Sequence, residues 1–180
     1  MTGFEILGQI VAGWLFADFV GGLGHWWEDR AAEARWPIVG RWIVAPNRLH
    51  HTDPVAFTRA GFLTRNSTTW AAVVPISALV FLLTGPSPFW VAATIGGLMM
   101  NQVHFWAHRP PLGLPYIVRT LQTAGLFQSG GHHHGHHSIP SRRYCVLTNL
   151  LNPFLDRYGF WTVLERGLSA MGMPVNGGTR

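Results

Sequence analysis

Ten histidines, more than the eight acidic residues together, are the part of this 180-residue sequence best suited to chemistry. They fall into four groups, and within the later groups the spacing is regular, with repeated separations of three and four residues. On a helix, residues at these spacings share one face and can bind one ion. Imidazole is a ligand for zinc, copper, iron or nickel. The groups are His25; His50 and His51; His104 and His108; and His132, His133, His134, His136 and His137.

The number of histidines indicates more than one metal ion. A single zinc site takes three or four protein ligands, whereas eight or more converging histidines argue for two ions. Carboxylate-rich di-iron proteins carry Glu-x-x-His on bundle helices, and this sequence has no such motif. A site here is therefore dominated by histidine. The acids near the histidines in the sequence are Asp18, Glu28, Asp29 and Asp53.

Each histidine group also has an ordinary interpretation when it is taken alone. His25 is equally typical of a hydrogen-bonding residue at a membrane surface. The run GHHHGHH at 131–137 is similar to an affinity tag, although it is internal and interrupted. The pair His104 and His108 alone would be a weak signal. Only the four groups together make a strong prediction of a metal centre.

The composition favours a membrane protein. Hydrophobic residues make up 48% of the sequence and charged residues 12%, whereas a soluble domain has about 25% charged residues. All 13 basic residues are arginine and the net charge is +5, which is typical of proteins that bind nucleic acid or an anionic membrane. The low charged fraction favours the membrane. A single cysteine, Cys145, excludes a disulfide scaffold, and the high hydrophobicity excludes a disordered chain.

Three apolar segments, at about 4–23, 68–84 and 89–107, are long enough to cross a bilayer. About 20 helical residues span a hydrocarbon core of about 30 Å. We expect Pro75 to kink the second segment and the short linker at 85–89 to close a tight hairpin. A soluble all-helical protein with unusually apolar helices is the alternative. The first segment is not expected to be a cleavable signal peptide, because it lacks a positively charged start and carries Asp18.

The arginines set the expected orientation in the membrane. Six lie in residues 24–67 and seven lie after residue 108. Three spans put both stretches on one side, which the positive-inside rule makes cytoplasmic. All four histidine groups then lie on that side. If the source is bacterial, the expected location is the inner membrane.

Residues 158–172 predict a C-terminal amphipathic helix. It would lie in the membrane interface with Glu165 and Arg166 facing water, or equally pack on its own domain. The sequence as a whole therefore predicts an all-α integral membrane protein with three to four transmembrane helices and a cytoplasmic histidine-rich metal site, in a single domain over 1–180. The apolar stripe of the C-terminal helix consists of Phe160, Trp161, Val163, Leu164, Leu168 and Met171.

Five stretches of the sequence resemble the lipid desaturase family. This family includes plasmanylethanolamine desaturase, which makes the vinyl ether of plasmalogens, and the plant plastid enzyme that desaturates palmitate on phosphatidylglycerol. The stretches cover most of the chain and follow the family order. Almost nothing precedes the first apolar segment, so an N-terminal targeting or regulatory extension is not expected, while the motifs are intact. The stretches are ADFVGGLGHW at 17–26, WPIVGRWIVAPNRLHHTDPVAFTR at 36–59, NQVHFWAH at 101–108, GHHHGHHSIP at 131–140 and YCVLTNLLNPFLDRYGFW at 144–161.

The resemblance implies a di-iron centre with eight histidine ligands and O2 as co-substrate. His132 falls on a position that is often histidine in the family, and His134 looks like an addition of this sequence. An acid inside a span is a functional-site hypothesis by default, and ligating imidazoles need partners for their second nitrogens. We therefore expect Asp18, Asp53 and Asn101 to support catalysis as such partners, with Asp156 as a further candidate. The eight implied ligands are His25, His50, His51, His104, His108, His133, His136 and His137.

The expected function is that of an O2-dependent di-iron lipid desaturase, most closely the vinyl-ether-forming type. The alternatives are desaturation of an acyl chain of phosphatidylglycerol or another lipid, a membrane hydroxylase or oxidase, and a non-enzymatic metal-binding membrane protein. No dinucleotide fingerprint or haem-attachment motif occurs, so electrons are expected from a ferredoxin or a cytochrome b5-like donor at the basic inner face. Five glycines have two possible roles. They would make room for the lipid chain, or they would let helices pack closely, which is the commoner role of small residues. They are Gly21, Gly22, Gly24, Gly96 and Gly97.

Overall fold

The computed structural model describes residues 1–176, and Arg180, one of the arginines counted above, lies outside the described residues. Over this range the regular secondary structure is helical and has no strand, which confirms the all-α prediction. A π-helical turn, Gly40–Val44, precedes α2, and a 3-10 turn, Pro111–Gly113, precedes α6. The α-helices are α1 Gly3–Arg30, α2 Ala45–Thr52, α3 Pro54–Arg59, α4 Phe62–Thr84, α5 Pro88–Ala107, α6 Tyr116–Thr123, α7 Gly130–Ser138, α8 Asn152–Arg157 and α9 Phe160–Ala170.

The three long helices contain the three predicted apolar segments. A capping box between Thr2 and Glu5 starts α1, which satisfies backbone N–H groups that have no partner within the helix. Pro75 lies inside α4, which continues to Thr84, and a short turn then leads into α5. Among the described helices, α1 and α4 are long and apolar enough to cross a membrane. α5 carries Asn101 and other polar residues in its second half and lies against both of them.

Small residues bring α1 and α5 together along their length. The two helices run parallel, because Gly13 lies against Phe89, near the start of α5, and Gly21 lies against Met100, three turns later. A Cβ at Gly13 would overlap the carbonyl of Phe89, so the two backbones are too close for any larger residue. Close helix packing therefore accounts for Gly21 and Gly96 against each other's helices, and for Gly97 against Val73 of α4. Gly22 instead lies against Cys145 in a non-helical segment, and Gly24 faces open space.

The chain beyond α5 returns along α1 and does not stay at its histidine-bearing end. Trp14 donates from Nε1 to the carbonyl of Leu126 (3.3 Å), and Trp14 precedes His25 by about 16 Å along the helix axis. Nearer to His25, Asp18 accepts from the backbone N–H of Leu147 (2.8 Å) and from the hydroxyl of Thr148 (2.6 Å). The non-helical segments 124–129 and 144–149 thus pack beside α1, and side chains satisfy their backbone groups.

The C-terminal helix α9 packs on the protein through part of its predicted apolar stripe. Trp161 is buried against Tyr144 and Trp26, whereas Val163 is exposed. Glu165 does not face water as expected. It is partly buried and accepts a hydrogen bond from Arg30 Nε (2.7 Å), which ties α9 to the end of α1.

Candidate metal centre

All eight implied histidine ligands come together at one end of the long helices. α1 contributes one, α2 two, the end of α5 two and α7 three. Ligand atoms of seven of these histidines and of Asp29 form two groups, and within each group the atoms lie within 4.8 Å of one another. We call these the first and second groups. The first is His50, His104, His108 and His133, and the second is His25, Asp29, His51 and His136.

The nitrogens of the first group are spaced as ligands of one ion. His104 Nε2 lies 3.0 Å from His50 Nε2, 2.9 Å from His133 Nε2 and 3.2 Å from His108 Nε2. One imidazole nitrogen has either one hydrogen or one lone pair, so these three contacts cannot all be hydrogen bonds. Nitrogens bound about 2.0–2.1 Å from a shared ion are about 2.9–3.4 Å apart for bond angles near 90–109°. His137, whose Nε2 is 2.9 Å from that of His133, lies beside this group.

Asp29 is the centre of the second group. Its Oδ1 is 3.1 Å from His51 Nε2, and its Oδ2 is 3.3 Å from His136 Nε2 and 3.7 Å from His25 Nε2. From the sequence, Asp29 is an acid near the histidines but not one of the expected site residues. The available signal was its position four residues after His25, which puts both side chains on one face of α1.

Backbone carbonyls orient two histidines of the second group. His25 donates from Nδ1 to the carbonyl of Tyr144 (3.0 Å), and His136 donates from Nδ1 to that of Arg142. A carbonyl only accepts, so in the neutral rings the Nε2 atoms carry lone pairs that face Asp29. These Nε2 atoms and Asp29 Oδ2 are buried and have no hydrogen-bond donor within residues 1–176. Three buried acceptors facing one another suit a bound cation, so the donor set fits a metal ion.

Four ligand histidines outside the long helices have pKa values below the usual value of imidazole. Burial, followed by the neighbouring imidazoles, lowers the pKa of His137 to about 3 and that of His108 to about 4. The same causes hold the pKa of His50 and His133 well below the usual value. Neutral imidazole is the form that binds metal. These four ligands therefore need to release few protons before they can bind an ion.

The other expected site residues form hydrogen bonds elsewhere among the described residues. Asp18 binds the segment at 147–148, Asp53 caps α3, and Asn101 donates to the Arg65 carbonyl (2.6 Å) in α4. Asp156 accepts from the backbone N–H of Arg143. The structure thus brings together the eight histidines but gives each of these four polar side chains a contact outside that centre.

The two unassigned histidines of α7 point away from both groups. His132 Nε2 accepts from Asn152 Nδ2 (3.0 Å). The same Asn152 also bonds the backbone N–H and carbonyl of Cys145. His134 is exposed. His132 therefore joins α7 to the start of α8, and His134 contacts neither group.

Comparisons with known proteins agree with the sequence resemblance. The lipid desaturase domain family matches residues 14–173. The chain is 38% identical over 177 residues to "Plasmanylethanolamine desaturase 1" of Mus musculus, covering 91% of this chain and 65% of that protein. It is 31% identical over 169 residues to "Plasmanylethanolamine desaturase" of Myxococcus xanthus, covering 89% and 59%. It is 35% identical over 162 residues to "Fatty acid desaturase 4-like 1, chloroplastic" of Arabidopsis thaliana, covering 87% and 54%.

The match covers most of this chain but a smaller share of these relatives, since the chain spans between about half and two-thirds of their length. No solved structure matches it. The family match spans all eight histidines and Asp29, and the resemblance inferred from the motifs is confirmed. The chain belongs to the lipid desaturase domain family.

Proposed function

We propose that this chain is an O2-dependent desaturase of a membrane phospholipid that holds two iron ions. The observation that carries the proposal is the pair of four-ligand groups at one end of the apolar helices. Membership of the lipid desaturase family supports the same reaction class. The first group would hold one ion with four histidines, and the second would hold the other with three histidines and Asp29.

The bound ions, together with O2, supply the oxidising power for an unactivated CH2–CH2 unit, which no side chain can provide. The overall reaction balances when the lipid loses two hydrogens and O2 takes up four electrons and four protons to give two waters. The lipid provides two of these electrons and two of the protons. An external donor provides the other two electrons, with two protons from water. We propose an acidic ferredoxin or a cytochrome b5-like protein as this donor.

The residues of this chain bind, orient and dehydrate the site. Phe57 packs against His50 (5.3 Å between ring centroids) and His104 (4.7 Å). Tyr144 packs in the same way against His136 (5.1 Å). These rings exclude water from the faces of the histidines that they cover. The electrostatic interaction between the ligands and a bound ion would be stronger where water is excluded. Imidazoles bind metal in their neutral form, so as ligands they would add no charge close to the hydrocarbon chain.

We propose that α1, α4 and α5 all cross the membrane, in one lipid desaturase domain over 1–180, with the metal centre on the cytoplasmic side and α9 at the membrane interface. If the source is bacterial, the location is the inner membrane. Support comes from the outer surface of α4, where Ile76 is 62% exposed and Leu82 is 82% exposed. An apolar surface of this kind is costly in water, which disfavours the soluble alternative. The arginine distribution supports the orientation.

For the substrate, we propose an ether-linked ethanolamine phospholipid that gains a vinyl ether bond. The names of two relatives, at 38% and 31% identity, support this choice. A relative named as a fatty acid desaturase, at 35% identity, supports an acyl chain as the second candidate. A non-enzymatic metal-binding role is disfavoured, because His25 and His104 share the centre with α7. A metal-storing run at 132–137 would not need either of them.

Lipid analysis of a host that lacks vinyl ethers tests the proposal. Expression of the chain with the host's own electron donors, or with an added ferredoxin and reductase, should produce acid-labile vinyl ether and a mass loss of two hydrogens. His104→Ala should abolish the product, whereas the exposed His134→Ala should retain it. Loss of two hydrogens from an ester-linked chain would select the second candidate. A gain of one oxygen, or full activity of His104→Ala, would overturn the proposed reaction.

A further inference from the structure

Arg143 has an unusual backbone conformation next to the metal centre. Its φ is 61°, and it is the one non-glycine residue with positive φ among residues 1–176. The left-handed region is unfavourable for residues with a Cβ, and least so for Asn and Asp. Such a conformation persists only where surrounding contacts hold it, and it is often found at functional sites. The contacts of Arg143 and its neighbours therefore indicate what this conformation achieves.

The carbonyls on either side of Arg143 orient two metal ligands from different helices. The carbonyl of Arg142 accepts from His136 Nδ1, on α7, and the carbonyl of Tyr144 accepts from His25 Nδ1, on α1. In the first group, by contrast, Nδ1 of His50 and of His133 has no hydrogen-bond partner in the described structure. The segment 142–144 thus orients two histidines of the second group.

Further contacts hold Arg143 in place. Its backbone N–H donates to Asp156 Oδ1 (3.2 Å), at the end of α8. Its guanidinium lies across α7 at Gly135, where a Cβ would overlap it, and Nη1 is 3.4 Å from the carbonyl of His132. Residue 143 is therefore attached to α7 by its side chain and to α8 by its backbone. These contacts hold residue 143 and the peptide groups beside it in the observed orientation.

We propose that Arg143 is a positioning residue for the second metal site, through its left-handed backbone and not through its charge. In that conformation the carbonyls of 142 and 144 hold His136 and His25 with Nε2 facing Asp29. A residue that avoids the left-handed region turns at least one carbonyl away and frees one imidazole. This inference rests on the two-ion centre of the proposed function, but it does not depend on the lipid substrate.

A matched pair of substitutions separates the backbone from the charge. Arg143→Asn and Arg143→Val both remove the guanidinium, but asparagine tolerates the left-handed region and β-branched valine does not. We expect the wild-type chain and Arg143→Asn to bind two Fe(II) ions per chain under anaerobic conditions. Arg143→Val should bind one ion with unchanged affinity and the other at least about tenfold more weakly, as for loss of an outer partner of a ligand.

Metal content and the visible spectrum of Co(II)-substituted protein give the readout without any activity assay. Circular dichroism checks that each variant retains its helices, and Arg143→Gly and Arg143→Ala extend the series if the valine variant fails to fold. The second-ion affinity should follow the order Gly and Asn, then Ala, then Val. Equal two-ion binding by all variants, or an order that follows side-chain charge or length, would overturn the inference. Failure of the wild-type chain to bind two ions would instead overturn the proposed metal centre.

Discussion

Replacement of Asp29 by asparagine should remove one metal ion and leave the other. The carboxylate oxygens of Asp29 lie 3.1–3.7 Å from the Nε2 atoms of His25, His51 and His136. Asparagine keeps the shape of the side chain but removes its negative charge, and it puts an amide NH2 where one oxygen was. An NH2 group repels a cation and binds no metal. The first group contains no atom of Asp29, so its ion should stay bound.

The expected size of the effect follows from how directly Asp29 contacts the site. Loss of an outer partner of a metal ligand costs about 10–100-fold in metal affinity. Asp29 is itself in position to bind the ion and also faces all three histidines of its group. We therefore expect at least about a 100-fold loss for the second ion, which corresponds to about 2.7 kcal/mol.

Asp53→Asn is the matched control for this prediction. The Asp53 side chain is 41% exposed and contacts Arg59 and the start of α3 but no histidine. Its substitution should keep two ions and change the stability little, because asparagine caps a helix about as well as aspartate and an exposed ion pair such as that with Arg59 contributes little. Co(II) titration and iron content per chain measure both variants. If Asp29→Asn bound both ions with wild-type affinity, or lost both equally, the division into two groups would be wrong.

Two further predictions concern packing and pH. Gly22→Ala should destabilise the protein by about 1–3 kcal/mol, because the added Cβ would lie 2.6 Å from Cys145 Sγ. Gly24 faces open space on the same helix, so Gly24→Ala should be neutral or stabilising by up to about 1 kcal/mol. Thermal unfolding in detergent compares the stability of the two variants. The metal-free protein should lose stability as the pH falls from about 6.5 to about 4, because the folded chain keeps His108 and His137 neutral while the unfolded chain takes up protons. Unfolding by denaturant at several pH values in this range measures how the free energy of unfolding changes with pH. A free energy that did not change with pH would contradict the lowered pKa values of His108 and His137.

Much of the fold and most of the centre could be predicted from local sequence patterns. Apolar runs of 17–20 residues are enough to predict long helices, since no other structure buries such runs. Spacing put His104 and His108 on one helical face. The three predicted spans place all four histidine groups at one end of the helices, and the structure brings the implied ligands together there.

The remaining features depend on contacts that no local pattern encodes. From the sequence, Asp18 is expected to support the metal ligands, because an acid in an apolar segment needs a reason. The reason in the structure is a backbone N–H 129 residues later, that of Leu147. The position of Asp29 among the ligands does not follow from the sequence, because it requires α2 and α7 to approach α1. Arg143 is ordinary as a residue type, and only its φ of 61° distinguishes it.

The packing of the chain beyond α5 along α1 also sets the order in which the parts of the protein assemble in the membrane. With α1 in the membrane as proposed, the non-helical backbone at 124–129 and 144–149 lies at membrane depth, where each unsatisfied polar group would cost several kcal/mol. The contacts of Trp14 with Leu126 and of Asp18 with Leu147 satisfy groups in both segments. The segments 124–129 and 144–149 can therefore pack in place only after α1 has been inserted into the membrane. α7 lies between them in the sequence, so its histidines arrive with them, and metal loading must follow translation of the tail.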